Sequence, residues 1–199
     1  MSVLSPIGKI NVNTDRVSFA ALVSDTADAV TFDSTATELS KSVVSFGYQP
    51  TMQTNDFWAS GQQIDTYVAK SGGTVNLTVP VTEAILEKLL FGSQYDVASK
   101  MITSNKDDVI PYVMLSVSTK RSDGTVNLYK FPKVKFASQG ESVQTSNASG
   151  VTYSSVQLNG NYSPLINNGD DMYVIKGLDV STVEGQEIYD EWFDASLPS

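Results

Sequence analysis

The residues in this chain whose spacing could support chemistry are paired carboxylates. Its 199 residues contain no histidine and no cysteine. That removes the commonest general base, the commonest transition-metal ligand, and every thiolate or disulfide. Asp107-Asp108 and Asp170-Asp171 could each offer hard oxygen ligands to calcium. Neither pair stands in the Asp-x-Asp-x-Asp-Gly frame of a calcium loop, so both read as solvated turn residues. Glu83 and Glu87 lie one helical turn apart, a spacing that could pair an acid with a base. A polar helix face accounts for them more simply. Gly72-Gly73 has no Lys-Ser/Thr helix behind it and is no phosphate loop. The glycosylation-type triplets at Asn76, Asn147 and Asn161 follow from a composition rich in Asn, Ser and Thr. No metal or cofactor is implied, and nothing in the chain supports an enzyme.

Charge is distributed unevenly. The formal total is −9, but from Asp170 onward eight acidic residues face Lys176 alone, a net of −7 that leaves −2 for the rest. Neither part has the basic patch that would neutralise phosphates. No apolar run approaches the roughly 20 residues that span a bilayer. The opening Met1-Ser2-Val3-Leu4-Ser5-Pro6 lacks the basic-then-apolar order of a signal peptide. A chain of this length reads as one large domain or a domain with appendages, burying roughly 70% of its unfolded surface without staples.

Residues 1–15 read as an extended arm, broken by Pro6 and Gly8 and turn-prone at Asn11, Asn13 and Thr14. Strands are expected at 17–23 and 29–33. Residues 41–49 alternate loosely, with Val44, Phe46 and Tyr48 on one face. Residues 51–73 form a long polar segment carrying Phe57, Trp58, Ile64, Tyr67 and Val68 without a clear period. The cleanest strand is 74–81, with Val75, Leu77, Val79 and Val81 on one side and Thr74, Asn76 and Thr78 on the other. Thr82 then caps a helix over 83–91, stopped by Gly92, whose stripe of Ile85, Leu86, Leu89 and Leu90 should cover a sheet. A second, short helix starts at the capping-box spacing of Ser181 to Glu184 and is weakened by Gly185. Val183, Ile188, Trp192 and Phe193 give it a partial apolar face. Trp58, Tyr67, Trp192 and Phe193 serve either a satellite core or contacts with another subunit. For Phe57-Trp58, in polar surroundings with no period, contact is the better reading.

Residues 110–164 carry the most specific pattern. Tyr112-Val113-Met114-Leu115-Ser116-Val117-Ser118 reads as a strand, and Lys120-Arg121-Ser122-Asp123-Gly124 as a tight turn. The chain returns through a strand over 125–136 that contains Leu128-Tyr129-Lys130, crosses a soft loop over 142–150, and ends in a long strand over 151–161. This order resembles the major tail tube proteins of long, non-contractile-tailed bacteriophages. Upstream, residues 41–50 are similar to that family's early strand, 57–70 to its long protruding loop, and 73–90 to its strand-then-helix unit.

The resemblance implies a mainly β fold: an antiparallel β-sandwich or flattened barrel with one flanking α-helix, an extended N-terminal arm, a long loop and a short C-terminal helix. The corresponding division is an arm over 1–15, a β domain over 16–169 and an acidic C-terminal segment over 170–199 with a strand and a short helix. Within the β domain, 51–73 is the protruding loop and 82–92 the flanking helix. It also implies a structural protein of the virion tail, assembled in the host cytoplasm into homo-hexameric rings that stack into a tube. Tape measure, tail terminator and distal tail proteins would be its partners, and DNA would pass through the lumen without specific binding. Strands with polar outer faces leave edges that ring closure would remove. Residues Phe57, Trp58, Ile64, Tyr67 and Val68 are then expected to contact neighbouring subunits. Thr74, Asn76 and Thr78 are expected to line the lumen, with Val75, Leu77 and Val79 facing the core. The competing reading is a carbohydrate- or host-binding β-sandwich module, presenting exposed Tyr and Trp on a β scaffold.

Overall fold

The computed structural model describes residues 10–40, 43–60, 62–80, 84–137 and 155–198. Its elements begin with β1 (Asn11–Asp25), β2 (Val30–Phe32), β3 (Thr37–Ser40), β4 (Ser45–Ala59), β5 (Gln62–Val79) and α1 (Ala84–Phe91). Two short strands follow, β6 (Gln94–Asp96) and β7 (Met101–Thr103). The chain then forms β8 (Val113–Arg121), β9 (Val126–Ala137), β10 (Val156–Tyr162), β11 (Tyr173–Leu178) and α2 (Val183–Glu191). One antiparallel sheet runs β2-β1-β8-β9-β10-β5-β4, with β3 added to β1 and β11 to β9. β6 and β7 pair apart as a small hairpin.

The sheet curls because its apolar residues have one place to go. Val75, Leu77 and Val79 of β5 meet Val17 and Phe19 of β1, Leu115 and Val117 of β8, and Phe131 of β9 in one core. Phe46 and Tyr48 of β4 lie against Tyr129 and Phe131, with ring centroids 5.4 to 5.6 Å apart for the Phe46–Tyr129 and Tyr48–Phe131 pairs. Leu86 and Leu90 of α1 enter the same core. A second, smaller core lies on the other side of β9, where Val126 and Leu128 pack with Trp192 and Phe193 after α2. β8 is therefore buried on both faces from Val113 to Thr119. The fold is mainly β, an antiparallel sandwich with flanking helices and no closed barrel.

Several local expectations change. The expected loop over 51–73 is instead two paired strands: β4 and β5 pair from Ser45↔Thr78 out to Ala59↔Gln62, with irregularities between Pro50 and Met52 and between Phe57 and Trp58. Residues 11–15 of the expected arm pair with β8, because β1 starts at Asn11. Val44 and Ile85 point to solvent, not inward with their neighbours. The N-cap of α2 is Thr182, one residue later than expected, its hydroxyl accepting from Gly185 N–H at 3.1 Å. Gly185 is there for space: a Cβ would sit 2.0 Å from the Asp179 carbonyl oxygen. Val183 is exposed, while Trp192 and Phe193 are buried. Thr82, Glu83 and the 142–150 loop lie outside the described residues.

Candidate assembly surfaces

Strand register assembles a broad polar face. Ser45, Thr78 and Gln157 form one row across β4, β5 and β10. Gly47, Asn76, Asn159 and Ala137 form the next, and Gln49, Thr74, Asn161 and Lys135 the third. Thr74 and Asn76 are exposed; Thr78 is half-buried and accepts from the Ser45 hydroxyl at 2.9 Å. The alternate residues Val75, Leu77 and Val79 are buried, as period-2 alternation on a one-sided sheet requires. Amides and hydroxyls cover this face up to its β9 border. There the ammonium groups of Lys135 and Lys133 lie 5.0 and 5.2 Å from the Tyr112 ring centroid. Lys133 is also held at 2.6 Å by Asp25, which is nearly fully buried and accepts from Ile166 N–H. The sequence reading missed this basic border, since Asp25 and Lys133 are joined only by the fold.

Among the described residues nothing packs over the far end of the β4–β5 hairpin. From Met52↔Lys70 to Ala59↔Gln62 it is a two-stranded ribbon, about 25 Å long at the usual strand rise. Register puts Met52, Asp56, Trp58, Gln63, Thr66 and Val68 on one face, and Phe57 and Tyr67 on the other. Ile64 is the extra residue at the bulge between Phe57 and Trp58. Both faces are apolar-bearing and open, with exposures from 55% at Val68 to 67% at Tyr67. Asp56 accepts from Gln63 and Thr66, tying the two strands together, and Lys70 anchors the base to Asp171 at 2.7 Å. An isolated two-stranded ribbon is marginal in water.

The sheet also leaves edges. Among the described residues β4 has no strand on its outer side, and neither does the 11–15 part of β1. A cleft of about 380 Å³ separates these edges, lined by Asn13, Thr14, Ser45, Gly47 and Thr119. The buried Thr119 hydroxyl has no hydrogen-bond partner among the described residues.

The C-terminal segment is clamped to β9. Lys130, fully buried in β9, donates to the carbonyl oxygens of Asp194 and Ser196 at 3.3 and 2.7 Å and lies 5.4 Å from the Trp192 ring centroid. Burial pushes its amine down to about 8, although the Asp194 charge acts in the other direction. Tyr189 donates to Asp15 at 3.2 Å, and Arg16 lies 4.2 Å from the Phe193 ring centroid.

The paired carboxylates are not gathered into a site. Asp107 pairs with Lys106 at 3.0 Å, Asp108 accepts from Asn105 N–H at 2.6 Å, and Asp170 accepts from Tyr173 at 2.9 Å. Among the described residues no group of three His, Cys, Asp or Glu could hold a metal ion. No described helix is long and apolar enough to cross a membrane.

No protein-family model and no curated protein matches the chain. Among solved structures, a similar chain is the tube-terminating cap of the anti-feeding prophage, solved by cryo-EM. It is 10% identical with a TM-score of 0.47, over 88% of this chain and 95% of that one. At this level of likeness no role is carried over from it.

Proposed function

We propose that the chain is a structural subunit of a phage tail that self-assembles into hexameric rings, stacked as a tube through which DNA passes. The observation that carries this reading is the two-faced ribbon, which exposes Met52, Phe57, Trp58, Ile64, Tyr67 and Val68 on a hairpin too thin to be stable alone. Such a feature supports contact with neighbouring subunits. The unpaired β4 edge supports lateral pairing, because open edges recruit another chain. The neutral rows of Ser, Thr, Asn and Gln suit a lumen wall, since they neither bind phosphate strongly nor repel it. Glu184, Glu187, Asp190 and Glu191 of the acidic C-terminal segment lie on α2, which packs against the Val126–Leu128 end of β9 and not against these rows. These features join the sequence resemblance over residues 110–164.

The test is to shorten the ribbon in register. Replacing residues 54–68 by Asn-Gly closes the hairpin at the Gln53↔Ala69 pair with a two-residue turn. The variant should remain a folded monomer that no longer polymerises. Normal tubes from it would refute the role given to the ribbon. If it unfolds, Trp58→Glu in the full-length hairpin makes the same test without deleting backbone.

A further inference from the structure

α1 follows β5 directly, so one strand carries the bare ribbon at its start and the helix beyond its end. The helix end has its own uncovered apolar surface. Leu86 and Leu90 fill the core, while Ile85 on the same helix is 58% exposed. Beside it runs a groove of about 360 Å³, with Ala21, Ile85, Leu89 and Pro111 as its apolar wall and Asp33 and Lys88 at its rim. The segment after α1 adds exposed Val109. It is held close to the helix: the Val109 carbonyl oxygen lies 2.5 Å from where a Cβ on Gly92 would be.

We propose that the ribbon tip of one copy, led by Trp58, seats in the α1 groove of a second copy, joining copies head to tail. This rests on the tube reading above and names the surface that receives the ribbon. Two observations favour a second copy as the occupant. Trp58 with Met52 and Val68 on its face, and Ile64 at the bulge, each more than half exposed, give that face of the ribbon roughly 450 Å² of apolar surface to bury. That is over half of the roughly 800 Å² per partner of a stable interface. The two surfaces also lie at opposite ends of one strand, so the contact is heterologous. A contact of that kind, when it does not close into a ring, propagates from copy to copy, as stacked rings require.

The chain has no cysteine, so introduced thiols report without background. Trp58→Cys and Ile85→Cys are made separately, mixed, assembled and treated with a short bismaleimide. The mixture should give covalent dimers that neither variant gives alone, and the double variant should give a ladder. Tubes that form without a 58–85 link, or links only between two copies of position 58, would overturn the contact and leave the tube reading intact. A wild-type chain that never assembles removes the tube reading and this contact with it. Ile85→Glu supplies the second arm: the folded monomer should keep its thermal midpoint but lose at least tenfold in polymerisation rate. An unchanged rate would count against the groove.

Discussion

Lys130 gives the fold a pH dependence opposite to that of most acidic proteins. Its amine is wholly buried and titrates at about 8 in the folded chain, against 10.5 for the unperturbed group. Between those values the unfolded chain binds more protons, so stability rises with pH across the window. The full shift corresponds to about 3 kcal/mol, of which about 1 kcal/mol is recovered between pH 7 and 9. At about 2 kcal/mol per molar, that moves the urea midpoint up by about 0.5 M. Above pH 10 the trend should reverse. Burial raises the phenols of Tyr162, Tyr173 and Tyr189, the first to about 12, so the folded chain then holds the extra protons. The assay is equilibrium urea unfolding at pH 7, 8 and 9, followed by tryptophan fluorescence, because Trp192 stacks on this lysine. Lys130→Met keeps the volume and removes the titrating group; its midpoint should be flat over the same range. A wild-type midpoint that falls from pH 7 to 9, or a Met variant that keeps the rise, would refute the reasoning.

Asp25→Asn leaves the Lys133 ammonium poorly compensated beneath Tyr112. Calorimetry should show a loss of about 3 kcal/mol, and a change below about 1 kcal/mol would mean that water already screens the pair. Gly73→Ala places a Cβ 2.3 Å from the Gln49 carbonyl oxygen, at the point where the ribbon leaves the sheet. That variant should express as insoluble protein; a soluble one with a wild-type melting curve would show that β4 can move aside. Asn76→Lys, in the middle row of the polar face, should still assemble but slow DNA passage, with rescue at high salt because each phosphate contact releases a counterion. An introduced thiol at position 76 that labels from outside an assembled tube would reverse the facing assigned to this strand.

What could be read from sequence tracks which faces are buried. Residues 74–79 showed their alternation because one side of β5 lies in the core and the other in solvent. The 52–70 ribbon showed none, because both its faces are in water and selection for burial leaves no period there. Its identity as paired strands comes from cross-strand register alone. β8 is buried on both faces, and on its back Ser118 meets Tyr189 of α2, a partner that lies far along the chain. Lys130 stands within the run Leu128-Tyr129-Lys130-Phe131, where a charged residue between apolar neighbours was a usable signal; its carbonyl partners at Asp194 and Ser196 were not. The polar face was legible as composition, but its basic border at Lys133 and Lys135 needed the fold to bring Tyr112 and Asp25 together.

The most direct test of self-assembly is negative-stain electron microscopy of the purified chain at high concentration, paired with its mass in solution. The account predicts end-on rings of six subunits and side views of stacked rings, with mass rising in multiples of six. A particle that stays monomeric or trimeric at every concentration, with no rings or tubes on the grid, would contradict it.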